Sequence, residues 1–183
     1  MINDYEATSN ITDPNYATAN TERTSISNDD VISNLNNLIE TCKDGQEGFK
    51  QAAEGVQNSE LKSVFYEYGQ QRAQFAGELQ GLVRELGGDP ENSGSTAGAL
   101  HRGWINIKSA VTGQDDTAIL NECERGEDVA KNAYKSALEE TLPANVSQIV
   151  QQQYTKVQAA HDHIKALRDS FNNTTTNTAA SSY

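Results

Sequence analysis

Apolar residues recur at alternating steps of four and three in long runs of this chain, and that rhythm constrains the fold more than any other feature. The first run passes through Val31, Leu35, Leu38, Cys42, Gly45, Phe49, Ala52 and Val56. A second carries Leu61, Phe65, Tyr68, Arg72, Phe75, Leu79, Leu82 and Leu86. The third is Leu120, Cys123, Glu127, Ala130, Tyr134 and Ala137, and the fourth is Val146, Val150, Gln153, Val157, Ala160, Ile164, Leu167 and Phe171. A stripe of this period lies along one side of an α-helix, so each run predicts a helix with one seam to bury. The expected class is all-α.

Local signals bound these helices. Ser27, Asn28, Asp29 and Asp30 supply an N-cap and first-turn acids for the first, which should end near Gln57. Asn58 and Ser59 cap the second, which stops at Gly87-Gly88, and Asp115 and Asp116 cap the third, which should end near Leu142-Pro143. Between the second and third lies a turn-rich connector in which Leu100, Trp104, Ile107 and Val111 fall at helical spacing, predicting one short helix. Helices of ~28 residues span roughly 42 Å, and a connector of this length can run from one end of a bundle to the other. A tight antiparallel link needs only about 2 to 8 residues. Two antiparallel hairpins joined by a long crossover is the topology of a ferritin-like four-helix bundle. The bundle is assigned to residues 28–171. Polar tails without apolar period, 1–27 and 172–183, are expected to stay disordered. A Cys-x-x-Gly at Cys42–Gly45 and again at Cys123–Gly126 is a weak echo between the first and third helices.

Composition narrows the partners. At 183 residues and 36% hydrophobic content the chain is about one domain with a sizeable core. Its formal net charge of -12 repels nucleic acid and anionic membrane surfaces, so neither is expected as a partner. Met1 to Glu6 show neither a basic nor an apolar signal region, and no transmembrane run is present. The two cysteines, Cys42 and Cys123, have no His or Cys at metal-ligand spacing, which fits reduced thiols in a cytoplasmic setting.

Four stretches carry a family resemblance: Leu38–Gly45, Ala97–Asn106, Glu122–Asp128 and Ala160–Asp162. With them, the region from about Asn28 to Ser170 resembles bacterial ferritin-like four-helix-bundle proteins of a domain family of unknown function. The resemblance implies the ferritin-like fold and a cytoplasmic, stress-associated setting, and it implies no activity.

The candidate site is the polar interruption of the seams. Ferritin-like di-iron centres take a Glu from each of two helices and a Glu-x-x-His from each of the others. Here Glu127 fits a single-Glu helix, but the matching position in the first helix is Cys42. The two Glu-x-x-His slots read Gly69-Gln70-Gln71-Arg72 and Gln158-Ala159-Ala160-His161. Three readings stay open. In one, Arg72 pairs with Glu127 inside the core, with His161, Tyr68 or Tyr154 completing the hydrogen bonds. In another, Arg72 snorkels outward and Glu127 faces water. In the third, iron or manganese is held by Glu127, His161 and a carboxylate from Glu40, Asp44, Glu47 or Glu124. His163 is expected on a solvated face. His101, Arg102 and Trp104 are expected to pack the crossover on the bundle, or to serve a contact between copies. No catalytic triad, phosphate loop or acid-base dyad is visible. The expected function is therefore a non-enzymatic, self-associating bundle without cofactor, whose metal centre is replaced by a polar core. The alternatives are a non-haem iron or manganese protein for redox or storage chemistry, and a self-assembling structural subunit.

Overall fold

The computed structural model describes residues 27–90, 104 and 106–180, with side chains described as far as Asn173. Among the described residues there are five helices and no strand: α1 Asn28–Gly55, α2 Ser59–Glu85, α3 Ile107–Thr112, α4 Asp116–Glu139 and α5 Ala144–Ala180. The expected caps form. Ser27 accepts from Asp30 N, Asn58 from Glu60 N and Leu61 N, and Asp115 from Thr117 N and Ala118 N. Gly87 adopts φ 83° and ends α2, with the Gly88 N–H returning to the Val83 carbonyl at 2.9 Å.

Two boundaries differ from expectation. α4 stops at Glu139, three residues before Leu142, because the residue preceding Pro143 is pushed out of the helical region and Glu140 is already extended. α5 continues through Asn172 to Ala180, where a disordered tail was expected. Extending a helix that already exists costs no new nucleus, so a polar segment can follow without a face to bury. Of the expected N-terminal tail, residues 1–26 lie outside the described residues, as does Leu100, while Ser27 is ordered as the cap of α1.

α1 packs along α2 and α4 along α5; α1 also lies against α4, and α3 rests on α1 and α4. The Asp116 carboxylate accepts from Gln57 N at 2.8 Å and Asn58 N at 3.1 Å, fixing the start of α4 beside the turn between α1 and α2. At the opposite end, Gly88 leans on Ile32 near the start of α1. Gly88 and Asp116, on either side of the connector, therefore stand at opposite ends of α1.

The apolar core divides into two clusters. One is built from Val31 to Cys42 of α1, Phe75 to Val83 of α2, Ala130 to Ala137 of α4 and Val146 to Val157 of α5. The other takes Phe49 to Val56, Leu61, Phe65, Trp104, Ile107, Ile119, Leu120, Cys123 and Ile164. On α2 the break falls between Phe65 and Phe75, and on α4 between Cys123 and Ala130. Arg72 and Glu127 occupy that level.

Candidate functional site

Glu127 is carried on the seam of α4 between Cys123 and Ala130, and Arg72 on the seam of α2 between Phe65 and Phe75. Arg72 Nη2 donates to Glu127 Oε2 at 2.6 Å, with each side chain 1% exposed. Neither snorkels. Nη1 donates to Gln71 Oε1 at 2.8 Å, and the guanidinium carbon lies 5.5 Å from the Phe75 ring centroid. The contact is one hydrogen bond rather than a fork, since Arg72 Nε and Glu127 Oε1 have no hydrogen-bond partner among the described residues. Gly45 makes the approach fit: a Cβ there would stand 3.3 Å from Arg72 Cγ and 3.4 Å from Cδ. Burial opposes the Arg72 charge and the adjoining Glu127 carboxylate more than offsets it, so the Arg72 pKa lies above its ordinary value.

The three residues expected to complete this centre sit elsewhere. His161 is buried, but its Nδ1 is 2.9 Å from Asp162 Oδ1, and its Nε2 is 3.0 Å from both Lys131 Nζ and Asp128 Oδ1. Carboxylates and an ammonium at the α4–α5 surface satisfy the imidazole before it can reach the pair. Tyr68 turns its hydroxyl to exposed His163 Nδ1 at 2.7 Å and packs its ring on Phe49. Burial, then the Glu127 charge, raises the Tyr68 pKa. Tyr154 is half-buried against the first apolar cluster.

A second buried polar chain went unrecognised in the sequence. Tyr134 Oη donates to Gln153 Oε1 at 2.7 Å and lies 3.1 Å from Cys42 Sγ, while Gln153 Nε2 donates to exposed Glu78 at 2.7 Å. With its only proton given to Gln153, the tyrosine can only accept from the thiol. Burial raises the Cys42 pKa from 9.0 to about 11 and also lifts those of Cys123 and Tyr134. These are protonated thiols, not nucleophiles. The available signal was that Cys42, Tyr134 and Gln153 all occupy seam positions while carrying hydrogen-bonding groups.

The residues weighed as metal ligands are spread over separate contacts. Glu40 lies 3.6 Å from Lys43, Glu47 accepts from Gln51 at 2.9 Å, and Glu124 pairs with Arg168. Asp44 and Glu47 line a surface pocket of about 470 Å³ beside Trp104 and Lys108. Among the described residues, no three His, Cys, Asp or Glu side chains gather as a metal site requires. Trp104 is 8% exposed and packs 5.0 Å edge-on from Phe49, over Gly48 and Gly126, where a Cβ on either glycine would collide with its ring. The ring packs on α1 and α4, as expected of a residue seating the connector on the helices. His101 and Arg102 lie outside the described residues.

A family model described as "Domain of unknown function (DUF2383)" matches residues 30–140. No curated protein matches the sequence. Among the described residues no helix is long and apolar enough to cross a membrane.

Proposed function

The chain belongs to the DUF2383 family, and from its own residues we propose a ferritin-like four-helix bundle that works as a self-associating, non-catalytic protein. The pairing of α1 with α2 and of α4 with α5, and the placing of Gly88 and Asp116 at opposite ends of α1, support the ferritin-like arrangement. One observation carries the functional reading. At mid-bundle, where ferritin-like proteins set carboxylates around metal ions, Glu127 is neutralised by the Arg72 guanidinium at 2.6 Å. A divalent cation would have to displace that guanidinium and leave it buried without an anion, which costs about 3 to 5 kcal/mol. The cation of this centre is supplied by the chain itself.

The same reading puts the protein in the cytoplasm, where buried unpaired Cys42 and Cys123 stay reduced. Its partner is a second copy, and a formal net charge of -12 turns away nucleic acid and anionic lipid. A stress-associated role accords with the resemblance alone. Anaerobic titration of metal-stripped protein with ferrous iron and with manganese tests the reading by calorimetry and equilibrium dialysis. No stoichiometric uptake is expected. Uptake of about one metal per chain, abolished in Glu127→Ala, would replace this reading with a metal protein for redox or storage chemistry.

A further inference from the structure

His161 ties α5 to α4 through the polar edge of its ring, which is buried with its side chain 8% exposed. Nδ1 lies 2.9 Å from Asp162 Oδ1. At Nε2 two groups of α4 stand at the same distance: Lys131 Nζ at 3.0 Å and Asp128 Oδ1 at 3.0 Å, themselves 3.2 Å apart. One nitrogen thus faces a cation and an anion together.

An ammonium only donates and a carboxylate only accepts, so Nε2 cannot serve both in one protonation state. As a lone pair it accepts from Lys131; as an N–H it donates to Asp128. The first is the hydrogen bond formed, and Asp128 makes an ion-pair contact beside it. The proton of the neutral ring is then on Nδ1, which donates to Asp162. Charging the ring reverses the choice. It sets an N–H against an ammonium, cation against cation, while the Asp128 carboxylate gains on both counts. Exposure decides which part moves: the imidazole is enclosed, whereas Lys131 is 29% and Asp128 51% exposed. The flexible stem of Lys131 reaches water by changing rotamer. The neighbouring charges are engaged elsewhere. On α4, Glu124 pairs with Arg168 and Glu127 with Arg72; on α2, Tyr68 is hydrogen-bonded to His163; Lys165, one turn along α5, is exposed.

We propose that His161 is a proton-driven switch in the α4–α5 seam: uncharged, it holds the Lys131 ammonium at Nε2; charged, it turns Nε2 over to Asp128 and releases Lys131 to solvent. The two helices stay linked in both states, so acid changes the surface and not the fold. The released ammonium stands one turn from exposed Lys135.

Nitrogen-15 spectra of the histidine rings in the full chain test this from pH 8 to pH 5, the range across which histidine side chains commonly change charge. His161→Gln identifies the ring among the three histidines. At pH 8 its Nε2 should be unprotonated and its Nδ1 protonated, and at pH 5 both should carry protons. Over the same transition the Lys131 Cε group, ordered at pH 8, should gain the mobility of a free lysine end. Lys131→Met should move the ring's midpoint to higher pH and Asp128→Asn to lower pH. Both replace partly exposed side chains, and amide spectra check that the fold is kept. Should either variant unfold, Lys131 relaxation in the wild type decides alone. A ring protonated at Nε2 already at pH 8, one that stays neutral to pH 5, or one that charges while Lys131 remains ordered would overturn the switch. So would midpoints that fail to move in opposite directions in the two folded variants.

Discussion

Arg72 and Glu127, 55 residues apart in sequence, meet at 2.6 Å with both side chains 1% exposed, in the gap between the two apolar clusters. Their energetics are asymmetric. Removing one ion strands the other in a low-dielectric seam, whereas removing both also removes two desolvation penalties. Arg72→Met alone is expected to cost about 3 to 5 kcal/mol, with Glu127→Gln also destabilising. Arg72→Met with Glu127→Leu should recover much of that loss, and urea unfolding of the four proteins measures it. Mild single changes that simply add would show that the two charges do not share a buried contact in solution.

His161 supplies a control on the same centre. Its ring is satisfied by Asp128, Lys131 and Asp162, so it shares no hydrogen bond with the Arg72–Glu127 pair. His161→Gln and Arg72→Met should therefore combine to within about 0.5 kcal/mol of the sum of their separate effects. Strong coupling between them would place the imidazole in the pair's network after all.

The thiol of Cys42 makes stability fall in alkali. The folded thiol keeps its proton to about pH 11, against 9.0 ordinarily, so the folded state binds more protons than the unfolded state between those values. Stability from this group is full below pH 9.0 and declines across that window, by at most about 2 to 3 kcal/mol. Tyr134 and Cys123, also raised, push in the same direction. Urea midpoints at pH 8 and pH 10.5 should diverge in the wild type and diverge less in Cys42→Ala. An equal pH dependence in the two would remove Cys42 as a contributor.

Trp104 is the only tryptophan in the chain, and its ring lies over Gly48 and Gly126. Gly126→Ala puts a methyl group where the ring stands. It should cost about 1 to 3 kcal/mol and shift tryptophan emission to the red as the ring is displaced toward water. Gly77→Ala, where an added Cβ meets none of the described residues, should leave emission unchanged and stabilise the fold by about 0.5 to 1 kcal/mol. Unchanged emission in Gly126→Ala would mean that the crossover is not seated in this slot.

The sequence by itself determined the helices, their caps and the seams, because these depend on residues one to four positions apart. The Ser27, Asn58 and Asp115 caps and the stop at Gly87 each follow from a few neighbouring residues. Seam periodicity also marked Arg72 and Glu127 as inward-facing and Cys42, Tyr134 and Gln153 as residents of the core. Only the tertiary structure decided which polar groups meet. Both His161 and Glu127 lie inward on adjoining helices, yet a small difference in direction hands the imidazole to Asp128 and Lys131 and leaves Glu127 to a guanidinium from α2. Helical period specifies the side a residue faces; the rotamer and the partner across the seam depend on packing between segments far apart in sequence. Glycine shows the same division. Gly48 and Gly77 look alike in the sequence, and only the folded chain shows that an indole ring covers one while none of the described residues covers the other.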